Sequence, residues 1–371
     1  MKQIKSVEVY YNDRLVGTLA ETKENLTAFQ YSKTWLSEGF SICPFSLPLS
    51  DKLFFSNYEP FGGLFGVFDD CLPDGWGMLL TDRMLRSKGL EPKTVNKITR
   101  LSLLGPNAKG ALEFKPCQMD LNDNSPNVDF DSLYEQCSKI LQNNKDVGDY
   151  DNLFSLAGSS GGAGPKAYVQ LDDGEFIVKF PSSDDTPDIG VQEYNYCMMA
   201  KKCGIRTVEC RLLPSKKTKG YFACRRFDRT PNAKRIHMLS AGGLLEVSHR
   251  FPMLDYSHLL KATMVLSKNT KEIENMFSLM CFNVFAHNRD DHAKNFSFLY
   301  SENKGAWEVA PAYDLTYSNS FNGEHATTVN GNGKNPTDND MIEVAKEVDL
   351  DPAWCSRKIN EIRSICSNNL V

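Results

Sequence analysis

Apolar and polar positions alternate through residues 6–21, "SVEVYYNDRLVGTLAE", with β-branched and aromatic residues on both sides of Asn12-Asp13. A period of two broken by a turn pair predicts a β-hairpin at the start of the chain. After the turn Pro73-Asp74-Gly75 the period changes: Trp76, Met78, Leu79, Met84 and Leu85 recur at near-helical spacing until Gly89. This predicts a helix that docks on the first sheet. Polar stretches at 120–129 and 142–152 flank a further helical segment, which sets an expected boundary near residue 148. Beyond it, "AYVQLDDGEFIVKF" (167–180) predicts two strands around an Asp-Asp-Gly turn, and "VQEYNYCMMAKKCG" (191–204) predicts a helix closing at Gly204. "VECRLL" (208–213) and "YFACRRF" (221–227) add two strands. From about residue 238 the pattern turns helical, over 258–268, 272–288 and 352–370, with a strand-like run at "FSFLY" (296–300). The Gly/Asn-rich stretch 330–340 is expected to be a mobile loop. The expected class is α+β, β-rich first and all-helical last, divided as 1–148, 149–237 and 238–371.

Composition narrows this only at the edges. A length of 371 residues with 41% apolar content suits a soluble chain with a substantial core, in two domains or one bilobed enzyme. The net charge of −5 gives no general bias toward nucleic acid or anionic membrane. Eleven cysteines without any C-x-x-C fit neither a disulfide framework nor a zinc ribbon and read as reduced core residues. No signal-like segment precedes the first strand, and no apolar run approaches the ~20 residues of a membrane span, so a cytoplasmic protein is expected.

Candidate chemistry concentrates in "CFNVFAHNRDDHAKNFSFLY" (281–300), where a polar cluster sits between apolar flanks. Asp290 and Asn295 have the Asp-to-Asn interval of the H-R-D-x-x-x-x-N catalytic loop of protein kinases, in which the Asp takes the proton of the attacking hydroxyl and the Asn oxygen ligates Mg²⁺. Taken alone, the spacing is weak and is better explained by a solvated loop with capping side chains. His287, Asp290, Asp291 and His292 also supply ligand types for a metal hydrolase. A second element, Gly158, Ser159, Ser160, Gly161, Gly162, Ala163, Gly164 and Lys166, precedes a strand. Its backbone N–H groups could approach phosphate oxygens, or it could be a plain linker. Lys179 ends the strand "EFIVK" with Glu193 on the following helix as its natural partner, and Asp314 follows the apolar strand of "WEVAPAYD". The order of these parts is the order used for phosphoryl transfer in kinases.

The segments "VYYNDRLVGTL", "SLPL", "LPDGWG", "SLAGSSGGAGPKA", "FIVKFP", "RRFDR", "NRDDHAKNFS" and "YDLTYS" together resemble the HipA family of serine/threonine kinases, the toxins of bacterial toxin–antitoxin pairs. The resemblance implies a bilobed protein-kinase-like fold: a HipA N-terminal subdomain at 1–148, a kinase N-lobe at 149–237 and a helical C-lobe at 238–371. It implies ATP and Mg²⁺ as cosubstrates, Asp290 as catalytic base, Asn295 and Asp314 as metal ligands, and Lys179 on the α- and β-phosphates. The backbone of Arg225 and Phe227 would meet adenine, His292 and Lys294 would lie against the nucleotide, and the loop Gly158–Lys166 would cover the phosphates. Autophosphorylation is implied at Ser155, with Ser159 and Ser160 as neighbouring candidates. The implied partners are a small helix-turn-helix, HipB-like antitoxin, DNA through that complex only, and a protein substrate in translation such as an aminoacyl-tRNA synthetase. Asp291 departs from a branch of the family that has Gly there, and the resemblance leaves open an effect of this second carboxylate on Mg²⁺ or substrate. A second function class also remains, a kinase-fold corepressor bound to antitoxin with little catalysis.

Overall fold

The computed structural model describes residues 2–104, 108–118, 129–142, 153, 156, 160–230, 232 and 234–369. They form two compact units.

The first unit comprises residues 1–191, 210–238 and 243–246. Its opening sheet is antiparallel, in the order β4-β3-β2-β1-β5, from β1 (Ser6–Tyr11), β2 (Arg14–Glu21), β3 (Thr27–Tyr31), β4 (Phe54–Phe55) and β5 (Leu112–Lys115). The expected hairpin is there: Asn12 and Asp13 take φ of 45° and 63°, the left-handed pair that a two-residue turn between right-twisted strands requires. Alternation does its work in β1, where Val7, Val9 and Tyr11 are buried and their neighbours are not. A second antiparallel sheet has the order β6-β7-β9-β8, from β6 (Lys166–Leu171), β7 (Gly174–Lys179), β8 (Cys210–Leu213) and β9 (Tyr221–Arg225). The helix Gly75–Ser87 stops where expected, with Gly89 left-handed and Leu90 N–H returning to Leu85 O. Its docking differs from expectation. Trp76 and Leu80 are buried in one core with Leu133 and Ile140 of the helix Phe130–Leu141 and with Val169, Phe176, Val178 and Tyr221 of the second sheet. The bulky Trp76/Leu80 face therefore ties the early helix to the later sheet.

The second unit comprises residues 192–209, 239–242 and 247–371. The helix Thr270–Phe285 runs through its core, with Met276, Phe277, Met280, Cys281 and Phe282 fully buried, as its nearly unbroken apolar sequence requires. The helices Tyr256–Ser267 and Pro352–Asn369 pack against it. The all-helical expectation for 238–371 is corrected here: β10 (Met238–Ser240), β12 (Ser297–Ser301) and β13 (Ala306–Val309) form a three-stranded sheet. A short parallel pair joins β11 (Leu254–Asp255) to β14 (Thr327–Thr328). Stretch 330–340 is likewise no loose loop. Asp340 accepts hydrogen bonds from the side chains of Asn332 and Thr337, and Thr337 caps the helix Asp338–Lys346 in return.

All eleven cysteines are free thiols. Among the described residues no helix is long and apolar enough to cross a membrane.

Candidate active site

The helix Thr270–Phe285 ends at Ala286, and His287, at φ 53°, turns the chain out of the core. Such a left-handed break needs local support, and two buried amides provide it. Asn288 donates to Asn283 Oδ1 at 2.9 Å, and Asn283 donates to the Tyr256 hydroxyl at 2.8 Å. Asp290 is exposed, whereas Asp291 has 0% exposure. That difference assigns the two adjacent carboxylates separate tasks. Asp291 accepts from Tyr256 Oη at 2.8 Å, His325 Nδ1 at 3.0 Å and Thr327 N–H at 3.2 Å, and its carbonyl accepts from the Thr327 hydroxyl. A buried carboxylate saturated in this way is an anchor. Asp291 is thus committed inside the protein, and burial together with its charge pushes the Tyr256 hydroxyl pKa well up.

Asn295 donates from Nδ2 to the Asp290 carbonyl at 2.7 Å, which fixes its amide orientation and directs Oδ1 away from that contact. The turn between them is a 3₁₀ segment, Ala293–Asn295, capped by His292, whose Nδ1 accepts from Lys294 N–H at 3.2 Å. His292 packs on His249 with ring centroids 5.5 Å apart. Tyr313 braces the far side, donating to Lys294 O at 2.6 Å and meeting Ser297 Oγ at 2.6 Å. The next residue, Asp314, is half-buried with φ 57°, a conformation that costs a non-glycine residue about 1 kcal/mol or more. Asn295 and Asp314 present oxygen donors of the kind Mg²⁺ accepts, and a hard divalent ion there would neutralise phosphate charge. The orientation of the Asn295 amide fits that role.

In the first unit, the described part of the glycine-rich loop begins at Ser160. Gly162 N–H donates to Asp74 Oδ1 at 2.6 Å, its carbonyl accepts from Trp76 N–H at 3.0 Å, and Lys166 Nζ donates to Gly161 O. Ala163 is exposed and Gly164 half-buried at the loop tip. Lys166 and Lys179 are directly opposed in the β6–β7 ladder, so two cations stand at the loop end of one hairpin. Lys179 Nζ lies 5.6 Å from the Phe222 ring centre. Ser160 is 2% exposed, and its hydroxyl has no hydrogen-bond partner among the described residues. Gly158, Ser155 and Ser159 lie outside the described residues. Arg225 reaches back to Asp173, with NH2 2.7 Å from Oδ2, and Phe227 lies two residues past the end of β9. The strand exit is locked by Arg226 and Arg229, both bonded to Asp228, while Gly110 N–H donates to the same carboxylate at 2.7 Å. Burial alone would raise the Asp228 pKa; Arg226 and Arg229 instead hold it well below the usual carboxylate range.

The predicted residues thus fall into two local sets. Gly161, Gly162, Gly164, Lys166 and Lys179 share one end of the second sheet in the first unit, whereas Arg225, the last residue of β9, pairs with Phe176 and lies at the other end, beside the Asp173 turn, with Phe227 two residues beyond it. Asp290, His292, Lys294, Asn295 and Asp314 belong to the second unit, as does Glu193 on the helix Ile189–Lys202. The residues that hold them, Tyr256, Asn283, Asp291, Tyr313 and Asp74, were not singled out from sequence as supports. Asn283 did carry a signal, being an amide inside an apolar helical run, where burial demands a partner.

Residues 7–115 match the HipA N-terminal domain and residues 158–369 the HipA-like C-terminal domain; the chain belongs to the HipA family. Two Sinorhizobium fredii (strain NBRC 101917 / NGR234) proteins, each named as a proposed kinase, are similar over most of their length. Y4dM is 24% identical over 348 residues, 85% of this chain and 78% of its own, and Y4mE is 26% identical over 344 residues, 84% and 77%. The fold is shared with HipA in the Shewanella oneidensis MR-1 toxin–antitoxin complex of HipA, HipB and operator DNA. The TM-score is 0.74 at 17% identity, covering 98% of this chain and 90% of that one.

Proposed function

We propose that this protein is an ATP- and Mg²⁺-dependent serine/threonine protein kinase acting as the toxin of a toxin–antitoxin pair. The observation that carries the reading is the loop at Asp290–Asn295. An exposed carboxylate is held by a rigid turn, while its neighbour Asp291 is buried as the anchor. General-base catalysis needs this arrangement, a solvent-exposed carboxylate within reach of a substrate hydroxyl on a backbone that does not move. Asp290 takes the hydroxyl proton, Asn295 and Asp314 hold Mg²⁺, and Lys179 and Lys166 meet the phosphates with the loop Gly158–Lys166. Glu193 orients Lys179. His292, Lys294 and the backbone of Arg225 and Phe227 position the nucleotide. The sequence modules 1–148, 149–237 and 238–371 serve as N-terminal subdomain, nucleotide-binding part and catalytic part. The partners in this reading are a HipB-like antitoxin, operator DNA through it, and a cytoplasmic protein of translation as substrate.

Self-modification is assigned to Ser155. A phosphate adds about −1.5 to −2 charges beside a loop meant for ATP phosphates, which opposes nucleotide binding by repulsion. The Ser160 hydroxyl is buried in this conformation, so phosphorylation there would first require the loop to open. The test is transfer from Mg-ATP by wild type and Asp290→Asn. The variant should keep nucleotide affinity and lose roughly 10²–10⁴ in rate. Undiminished transfer by the variant would remove Asp290 as base, and binding without transfer by either protein would favour the corepressor role.

A further inference from the structure

The turn Pro73–Gly77 and the glycine-rich loop are far apart in the chain, with Asp74 and Gly162 separated by 88 positions, yet one grips the other. Gly162 has a left-handed φ of 82°. Its N–H is held by Asp74 and its carbonyl by Trp76 N–H, so both backbone polar groups of a single loop residue are taken by one turn. Asp74 occupies the N-cap position of the helix Gly75–Ser87 but makes no side-chain bond to that helix. Its carboxylate rests at the positive helix end and turns its acceptor to the loop. Trp76 N–H is among the first-turn donors that a helix cannot satisfy itself. Glycine is required at both neighbouring positions. Gly75 has φ 45°, and a Cβ there would run into the Gly162 carbonyl oxygen; a Cβ at Gly77 would stand 2.8 Å from Ser160 O. The Trp76 side chain, 1% exposed, is locked in the core with Val178 and Phe180, so the turn is as fixed as the sheet. A helix start has been shaped to receive this loop.

We propose that Asp74 is a positioning residue for nucleotide phosphates: with Trp76 N–H and the close-approach glycines, it holds loop residues 160–166 in their phosphate-receiving shape before nucleotide arrives. The proposal rests on the kinase reading above. A glycine-rich segment loses more conformational freedom on ordering than any other. When the turn orders it beforehand, that cost is not subtracted from nucleotide affinity. The loop meets phosphates only, so the effect must appear with ATP and not with adenosine.

The experiment is calorimetric titration of the full chain with Mg-ATP and, separately, with adenosine, for wild type, Asp74→Ala and Asp74→Asn. Losing one hydrogen bond to a charged acceptor should weaken Mg-ATP binding of Asp74→Ala by roughly tenfold. Adenosine affinity should stay unchanged, and KM for ATP should rise without a change in kcat. Asp74→Asn, whose Oδ1 can still accept from Gly162 N–H, should recover most of the loss. Equal weakening toward both ligands would reduce Asp74 to a structural role, and unchanged or tighter Mg-ATP binding by Asp74→Ala would overturn the proposal while leaving the kinase reading intact. Failure of the wild type to bind Mg-ATP at all would overturn both.

Discussion

The loop at 288–297 and the loop at 160–166 are both rich in small and polar residues, and they are held in opposite ways. The first is fixed by side chains of its own unit. Asp291 alone gathers Tyr256, His325 and Thr327, and Tyr313 closes the other side. The second has few side chains to offer, and its backbone is held from outside by Asp74 and Trp76. Where a carboxylate must stay at one position, buried polar contacts supply rigidity, because each unmade contact inside the protein is costly. Where a loop is nearly bare of side chains, backbone hydrogen bonds from a neighbouring turn supply the order instead.

Breaking the side-chain anchor should have the largest effect. Asp291→Ala strands the Tyr256 hydroxyl, the Thr327 N–H and the His325 ring, and should destabilise the fold by roughly 3–5 kcal/mol. Chemical denaturation measures this directly; a loss below about 1 kcal/mol would show that the anchor is not what holds the loop.

The comparison also extends to pH. Fully buried His237, bonded to Ile42 O at 2.8 Å, has its pKa pushed down by burial to about 4. In the unfolded chain it titrates near 6.5. Between these values the unfolded state binds the extra proton, so stability is full above about pH 6.5 and falls as pH drops toward 4, by about 3 kcal/mol in total. Asp228 behaves as a carboxylate with lowered pKa: its contribution is present above the usual carboxylate range and lost only in stronger acid. Urea melts of wild type and His237→Gln at several pH values separate the two groups. The variant's curve should be flatter between pH 6.5 and 4, and parallel curves would contradict the buried neutral imidazole.

A smaller effect is expected at Asp314. Asp314→Ala should weaken Mg-nucleotide binding by about tenfold, corresponding to the loss of one charged ligand, while leaving metal-free nucleotide binding unchanged. Equal affinities of wild type and variant in Mg²⁺ would remove Asp314 from the metal site.

What was readable from sequence follows the distance over which each feature is determined. The hairpin at Asn12-Asp13, the helix ending at Gly89 and the Asp290-to-Asn295 interval are set by neighbours in the chain, and all three are present in the structure. The role of Asp291 was hidden because its partners Tyr256, His325 and Thr327 lie 34–36 positions away. Sequence left it as a candidate influence on metal or substrate, and only burial shows it to be an anchor. The strands β11 and β14 have two residues each and β10 three, too short for any period, so between the helices of 238–371 only "FSFLY" and the run of "WEVAPAYD" read as strands, which became β12 and β13. Asp74 looked like a turn residue, which it is; its hold on Gly162 is a tertiary fact.

The measurement that tests the central claim most directly is intact and peptide mass spectrometry of the purified protein before and after incubation with Mg-ATP, with Asp290→Asn in parallel. The account predicts one added phosphate on wild type, at Ser155, and none on the variant. Equal phosphate on both proteins, or none on either while Mg-ATP binds, would contradict it.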